Sequence, residues 1–328
     1  MEDHKTVLGS HAGPVTCVTL SSDSSLVISG SKDNAVVQWD VETATKTFLK
    51  KHWRTSDAGQ SHEGEVLAVA CSESSPLVVS GGRDAVIRVY DTRTAAEVKV
   101  LKGHRGAVTS LVFRRGTNTL FSGSEDRCLK QWDLNEMGYL ETLFGHQEPV
   151  NAIDCWTKEQ PLSVSSDRTL RLFKVADQSH LVYRGHSGSI DTVQMLSDTN
   201  FVSGGQDGAL CLWRDTAKKP TFKLPAAHGL DGHTPRWIVS LASLRMSDLL
   251  ASGSHDGQVR LWQVDSGASQ LRQMTTVAVD GFANALSISP KLLVVGSGSE
   301  HRLGRWWKQK AVKNLVTIYR LPQTSSVP

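Results

Sequence analysis

Short apolar runs separated by turn-forming residues recur along the whole chain. Residues 15–20, 26–29 and 35–39 show the pattern: each run is rich in Val, Ile, Leu or Thr and is bounded by Gly, Ser, Asp or Asn. Runs of this length and composition predict β-strands, and the polar clusters predict tight turns. The pattern repeats after every four strands. Each repeating unit is therefore predicted to form one small four-stranded sheet.

A set of four residue types repeats in register with these strands. A Ser is followed four residues later by an Asp and six residues after that by an aromatic residue, with a His about 22 residues before the Asp. The sets are His11/Ser29/Asp33/Trp39, His62/Ser80/Asp84/Tyr90, His104/Ser122/Asp126/Trp132, His146/Ser163/Asp167/Phe173, His186/Ser203/Asp207/Trp213 and His233/Ser252/Asp256/Trp262. A period of about 40 to 45 residues with Gly-His and Trp-Asp signatures is typical of propeller blades.

The chain thus resembles the WD-repeat β-propeller family over nearly its whole length. The motifs that carry the resemblance are Trp39-Asp40, Trp132-Asp133, Gly103-His104, Gly145-His146 and Gly185-His186. The resemblance implies that each set forms a hydrogen-bonded structural tetrad, and a buried imidazole needs such partners. We therefore do not treat these His and Asp residues as catalytic.

A seventh blade is predicted after the sixth set. Residues 282–288, 292–296 and 314–320 predict three strands, and residues 5–8 supply the fourth. The prediction is an all-β, seven-bladed β-propeller that is closed by the N-terminal strand and spans residues 1–321, with residues 322–328 as a short tail. Closure also removes an exposed sheet edge.

Composition and the absence of known catalytic motifs exclude several classes of function. With 39% hydrophobic and 21% charged residues, the chain is typical of a globular protein, and no apolar run approaches the roughly 20 residues that cross a bilayer. The five cysteines lack metal-site or C-x-x-C spacing and are expected to be reduced. No G-x-S-x-G, Walker or H-E-x-x-H motif is found, and the Ser-Gly and Gly-Gly pairs are interpreted as turns. We predict a non-enzymatic protein without cofactor, metal or membrane contact.

Two long connections depart from the repeat, at residues 50–61 and 215–236. The first contains a Trp and the second is directly followed by one; both Trp are expected to be exposed, and each is next to an Arg. Long propeller loops often bind partners, so Trp53, Arg54, Arg236 and Trp237 are candidate contact residues. Surface insertion without function is the alternative.

The third departure is residues 300–313, where the seventh blade lacks its tight turn and its tetrad. Residues 301–328 hold six Lys or Arg and no Asp or Glu, whereas the preceding 300 residues hold 30 basic and 33 acidic side chains. Clustered cations beside aromatic rings suit RNA, since cations neutralise phosphates and rings stack on unpaired bases. Alternatively, the tryptophans pack under the loop, and the cations only keep its surface in contact with water.

A closer resemblance concerns the same loop. Its sequence Glu-His-Arg-Leu-Gly-Arg-Trp-Trp at 300–307, followed by Lys308 and the strand near Asn314, is similar to the C-terminal signature of the WD-repeat proteins associated with the U3 small nucleolar ribonucleoprotein. The resemblance implies a non-catalytic subunit that binds the box B/C region of U3 snoRNA beside a small protein recognising a kinked turn. It also implies a monomer within the particle, other small-subunit processome proteins as partners, a role in small-subunit pre-rRNA processing, and location in the nucleus and nucleolus. The positions carried over as RNA or particle contacts are His301, Arg302, Arg305, Trp306, Trp307, Lys308, Lys310 and Lys313.

A protein-only adaptor is the alternative function. Residues 84–93 resemble the Trp-Asp-x-Arg box of propellers that serve as cullin-RING ubiquitin-ligase substrate receptors, although Tyr90 replaces the Trp. Copurifying nucleic acid would distinguish the RNA-binding function from this one.

Overall fold

The computed structural model describes residues 5–49, 61–265, 269–304, 308–309 and 311–321. Across these ranges the regular structure consists of β-strands, without a helix. Seven four-stranded antiparallel sheets form the blades of a β-propeller, which confirms the predicted fold. Because no helix occurs in the described ranges, none is present there that could cross a membrane.

The first strand, β1 (Lys5–Ser10), belongs to the last blade, and the first three complete blades follow it. Blade 1 consists of β2 (Val15–Leu20), β3 (Leu26–Ser31), β4 (Val36–Asp40) and β5 (Lys46–Phe48). Blade 2 consists of β6 (Val66–Cys71), β7 (Leu77–Gly82), β8 (Val86–Asp91) and β9 (Ala96–Lys102). Blade 3 consists of β10 (Val108–Phe113), β11 (Thr119–Ser124), β12 (Leu129–Asp133) and β13 (Gly138–Leu143).

The next three blades have the same meander order. Blade 4 consists of β14 (Val150–Asp154), β15 (Leu162–Ser165), β16 (Thr169–Lys174) and β17 (Ser179–Arg184). Blade 5 consists of β18 (Ile190–Met195), β19 (Asn200–Gly205), β20 (Leu210–Arg214) and β21 (Phe222–Leu224). A two-stranded hairpin, β22 (Leu230–Asp231) and β23 (Thr234–Pro235), precedes blade 6, which consists of β24 (Ser240–Ser243), β25 (Leu249–Gly253), β26 (Gln258–Asp265) and β27 (Gln270–Ala278).

Blade 7 is built from both ends of the chain. Its strands are β28 (Phe282–Ile288), β29 (Leu292–Gly298) and β30 (Leu315–Arg320), and β1 pairs antiparallel with β30 as its outermost strand. The innermost strands of neighbouring blades contact each other around the ring, including β28 against β2. The ring is therefore closed, with the N-terminal strand in the predicted place.

The apolar core lies between the blades. Leu170 and Leu172 of β16, for example, share one buried cluster with Ile190 and Val193 of β18. Each sheet of a propeller thus buries its faces against its two neighbours. At about 25 cal/mol per Å² of apolar surface removed from water, these repeated contacts are the main favourable contribution to folding.

The repeated Ser-Gly pairs have a packing role that the turn interpretation did not anticipate. Gly30 and Gly81 lie within β3 and β7, and a Cβ at either position would come within 2.6 Å of a valine side chain in the next blade. Glycine is therefore required because the neighbouring inner strand approaches closely, and not because the chain turns there.

Candidate nucleic-acid interface

In blades with a tetrad, its hydrogen bonds join the loops at one end of the blade to the second and third strands. In blade 3, the Nδ1 of His104 donates to Asp126 at 2.8 Å, and its Nε2 lies 2.7 Å from the Ser122 hydroxyl. The Nε1 of Trp132 donates to the same hydroxyl at 2.8 Å. Blade 5 has the same network, formed by His186, Ser203, Asp207 and Trp213.

The electrostatics of the tetrads agree with a structural role. Burial raises the pKa of the Asp126 carboxyl, but the hydrogen bond from His104 and two backbone N–H groups lowers it more, so the pKa falls to about 2. The same opposition, with His11 as donor, brings the pKa of Asp33 to about 2. Ionised carboxylates that accept hydrogen bonds on both oxygens hold the neighbouring loops in place, as Asp126 does with His104, Arg105 and Cys128.

The sixth tetrad uses His228, and the prediction of His233 was wrong. The Nδ1 of His228 donates to Asp256 at 2.9 Å, and its Nε2 lies 2.8 Å from the Ser252 hydroxyl. The hairpin of β22 and β23 is inserted after His228 and lengthens the spacing to Asp256 from about 22 residues to 28. His233 lies exposed at the tip of this hairpin, where Gly232-His233 imitates the Gly-His signature.

The seventh-blade loop starts and ends on a short extension of the sheet. A β-bridge joins Glu300 to Lys308, and the backbone N–H of Gln309 donates to the Ser299 carbonyl at 2.8 Å. These contacts bring the two ends of the loop together beside blade 7. Lys308 and Lys313 are both exposed, so two of the predicted phosphate neighbours face solvent.

Blade 1 holds the loop through Lys32, a contact that sequence reasoning missed. The Lys32 ammonium donates at 2.9 Å both to the Glu300 carboxylate and to the Gly304 carbonyl. The side chains of Lys32 and Glu300 are only 6% and 11% exposed. Because this Lys occupies an ordinary turn position of the repeat, nothing in the sequence distinguished it.

His301 packs inward against the connection between blades 5 and 6. Its ring meets that of Trp237 edge-to-face, with centroids 6.1 Å apart, and its Nδ1 accepts from the Leu303 N–H at 3.2 Å. Burial and the neighbouring Arg302 and Lys32 charges lower the pKa of His301 to about 3, so the ring is neutral at physiological pH. Trp237 is half-buried, contrary to the prediction that it is exposed. Arg236 is half-buried as well, and its backbone N–H donates to the Gly229 carbonyl at 3.1 Å.

Arg302 points into the centre of the ring. Its Nη2 donates to the Asn151 carbonyl of β14 at 3.1 Å and to the Asp191 carbonyl of β18 at 2.8 Å. The side chain lines a central cavity of about 180 Å³, and its Nε is buried. This guanidinium is therefore engaged by the protein at a position predicted to contact RNA.

An open cleft of about 660 Å³ separates the loop from blades 1 and 2. Leu303 and Gly304 form one wall, and Lys32, Asn34 and Arg83 are on the other. The backbone N–H of Ser61, at the end of the first long connection, donates to the Asn34 carbonyl at 3.0 Å. The ends of two predicted contact segments thus approach the same cleft.

The other predicted contact residues, Trp53, Arg54, Arg305, Trp306, Trp307 and Lys310, lie outside the described residues, as does the tail at 322–328. In the part of the chain that is described, no group of three or more His, Cys, Asp or Glu side chains is placed to hold a metal ion. The cysteines are free, and burial raises the pKa of Cys17 and Cys155 to about 12, so these thiols are protonated.

Comparison with known proteins places this geometry in a family. The WD domain, G-beta repeat family matches residues 3–40, 56–91, 95–133, 138–174, 178–214 and 225–263. The U3 snoRNP-associated protein-like YAOH of Oryza sativa subsp. japonica is 38% identical over 97% of this chain and 69% of its own length. The human U3 small nucleolar RNA-interacting protein 2 is 38% identical over 98% of this chain and 70% of its own length. A solved structure described as the structure of U3-55K superposes with a TM-score of 0.93 at 38% identity, covering 97% of this chain and 99% of the other. The chain therefore belongs to the WD-repeat family and, within it, to the U3 snoRNP-associated proteins.

Proposed function

We propose that this protein is a non-catalytic subunit of the U3 small nucleolar ribonucleoprotein that binds the box B/C region of U3 snoRNA. It does so beside a small protein that recognises a kinked turn, as one copy among the other small-subunit processome proteins. The particle acts in the nucleolus on the precursor of the small-subunit rRNA. The names of the relatives, which refer to U3 snoRNP and U3 small nucleolar RNA, support this role.

The seventh-blade loop is the feature that supports RNA binding most directly. Its first residues, His301 and Arg302, are turned inward, whereas Lys308 and Lys313 on its return are exposed. The segment 301–328 contains six cations and no acid, so its exposed charge is uniformly positive. A loop with a fixed base and a cationic outer part suits contact with a phosphate backbone.

The rigid ring favours recognition of RNA shape over a long base sequence. Cations that meet phosphates set position and affinity, while the predicted ring contacts of Trp306 and Trp307 would stack on unpaired bases. Specificity then comes from the folded RNA and from the companion protein together. No bond is made or broken in this mechanism.

A salt-dependent binding titration against U3 box B/C RNA, with and without the kinked-turn protein, tests the proposal. We expect replacement of Lys308, Lys310 and Lys313 by Gln to weaken binding and to reduce the slope of log K against log salt by about 2 to 3, since each lost phosphate contact removes about 0.7 to 0.9. Replacement of Trp306 and Trp307 by Ala weakens binding by about 1 to 3 kcal/mol per stacked base and leaves the slope unchanged.

A charge-matched variant controls for net charge. Lys99, Lys158 and Lys291 are exposed and lie outside the loop and the two long connections: Lys99 is on the outer strand β9, and the other two are in turns at the opposite end of the blades from the loop. Their replacement by Gln therefore removes three charges without touching the candidate interface. This control is expected to bind like the wild type. Equal, weak binding of box B/C RNA and a scrambled RNA by the wild type would refute the function and make the protein-only adaptor the next hypothesis.

A further inference from the structure

We propose that Arg302 is a positioning residue. Its guanidinium binds backbone carbonyls in the central channel, a contact we call the latch, and so fixes the first part of the seventh-blade loop, residues 302–304, which we call the root of the loop. This fixed root orients the RNA-binding part of the loop. The inference rests on the proposed function for its consequence, but the latch itself is a property of the free protein. It changes the role of Arg302 from the RNA or particle contact expected from the sequence to an internal anchor.

β-Bulges in the inner strands of blades 4 and 5 expose the backbone carbonyls that accept hydrogen bonds from Arg302. The pairing of β14 with β15 shifts register between Val150 and Ala152, and that of β18 with β19 shifts between Ile190 and Thr192. Each shift is a β-bulge that leaves one residue out of the ladder. Those residues are Asn151 and Asp191, whose carbonyls accept from Arg302.

The same bulge occurs in the inner strands of other blades and has a second role there. The bulged residues Thr16, Thr109, Asn151 and Asn284 donate from their side chains to the carbonyl of the first residue of the next inner strand, at 2.5 to 2.9 Å. These bonds link successive blades around the channel. A ring of bulged positions therefore carries both the blade-to-blade bonds and the backbone groups that line the channel.

Blade 5 departs from this linkage, as does blade 2, whose bulged residue is Leu67. The bulged residue of blade 5 is Asp191, whose Oδ1 accepts from the Ser189 hydroxyl at 3.1 Å and whose buried Oδ2 has no hydrogen-bond partner within the described residues. An ionised carboxylate cannot donate to the next blade as Thr or Asn does. Burial raises the pKa of Asp191 to about 6, and the Arg302 guanidinium opposes this rise, so the carboxylate is mainly ionised at pH 7 and supplies a negative charge to Arg302.

The latch acts across the ring because its two ends belong to different blades. Arg302 follows β29 of blade 7, while its acceptors lie in blades 4 and 5 on the far side of the channel. With the Lys32 ammonium holding the Gly304 carbonyl from blade 1, residues 302–304 are tied at both ends. The loop leaves this fixed segment at Gly304, beside the open cleft.

Hydrogen exchange of the free protein tests the latch without RNA. In Arg302→Gln, we expect the amides of Leu303 and Gly304 to exchange at least tenfold faster than in the wild type, because the bonds that order them depend on the fixed root. Arg302→Lys, which keeps a charge and can reach one carbonyl, is expected to give an intermediate rate. Arg105→Gln removes an exposed cation at the same end of the ring and is expected to leave the rates unchanged.

RNA titration then separates a positioning role from a phosphate contact. Arg302→Gln is expected to weaken box B/C binding about tenfold with an unchanged salt slope, whereas loss of a phosphate contact would reduce that slope by about one. Unchanged exchange of Leu303 and Gly304, or a reduced salt slope, overturns the proposal. If Arg302→Gln does not fold, as judged by exchange of amides in β11, the comparison of Arg302→Lys with wild type decides by the same two readouts. Failure of the wild type to bind the RNA would refute the proposed function and leave the exchange result intact.

Discussion

Replacement of His228 by Ala removes the centre of the sixth tetrad. Asp256 loses the 2.9 Å bond from Nδ1 and keeps the backbone N–H of Gln258 at 3.0 Å and Arg260 at 3.4 Å. The Ser252 hydroxyl loses its 2.8 Å contact and still accepts from Trp262. A lost bond to a charged group is worth about 1.5 to 3 kcal/mol, and a buried hydroxyl left without its partner costs about 1 to 3 kcal/mol. With partial compensation by Arg260, we expect a loss of about 3 to 4 kcal/mol in the free energy of unfolding.

His233 provides a matched control within the same insertion. It is exposed at the hairpin tip, so His233→Ala is expected to change the free energy of unfolding by less than about 0.5 kcal/mol. With an unfolding entropy of about 2.1 cal/mol/K per residue, the 328-residue chain loses roughly 1.5 °C of Tm per kcal/mol, or about 5 °C for His228→Ala. Thermal and urea unfolding of both variants measure this difference.

The pH dependence of that difference has a defined sign. The tetrad lowers the pKa of Asp256 below its unfolded value, so the stability that this carboxylate contributes is present above about pH 4 and is lost as the pH falls further. The gap between wild type and His228→Ala should therefore narrow in acid. Equal destabilisation by the two Ala variants at pH 7 would refute the assignment of His228 to the tetrad.

Three further predictions concern the loop and the channel. Lys32→Met leaves the Glu300 carboxylate buried without its cation and should destabilise the loop by about 3 kcal/mol, part of which Lys32→Met/Glu300→Gln should restore, as measured by amide exchange. The pKa of His301 is about 3 in the folded loop and about 6.5 in the unfolded loop. As the pH falls below about 6.5, the unfolded loop takes up a proton and the folded loop does not, so the folded loop loses stability. At pH 5 the loss is about 2 kcal/mol relative to pH 8, and His301→Asn, which cannot take up a proton, should abolish it in exchange rates corrected for intrinsic pH effects. Thr109→Val removes a hydroxyl that donates to backbone carbonyls of blades 3 and 4 and should cost about 1 to 2 kcal/mol in urea unfolding.

The fold was predictable because its information is repeated. A Ser, Asp and aromatic residue at fixed spacing occur six times, and the closing strand could be placed because residues 5–8 had no other blade to complete. The prediction of His233 failed where the repeat is interrupted: the inserted hairpin changes the spacing but keeps a Gly-His pair. Local spacing identifies a tetrad only while the loop lengths between its members are constant.

The inward or outward direction of the loop residues could not be read from the sequence. Arg302 belongs to a cationic cluster that looks uniform in composition, yet its direction is set by bulged carbonyls more than 100 positions earlier in the chain. Likewise, the neutral state of His301 depends on burial and on the charges of Arg302 and Lys32, and Lys32 comes from a different blade. Composition therefore predicts that a loop is cationic, whereas long-range contacts decide which cations are available to a ligand.

Ring closure and loop order are connected through Asn314. Its carbonyl accepts from the His11 N–H at 3.1 Å where β1 completes blade 7, and its Oδ1 accepts from the Ser299 N–H at 2.9 Å at the base of the loop. Loss of β1 would therefore remove a partner of Asn314 and expose the edge of β30 at the same place. Since the loop is also held by blade 1 through Lys32 and by blades 4 and 5 through Arg302, its position depends on the geometry of the whole ring. It follows that substitutions which loosen ring closure should weaken RNA binding even where they lie far from the loop.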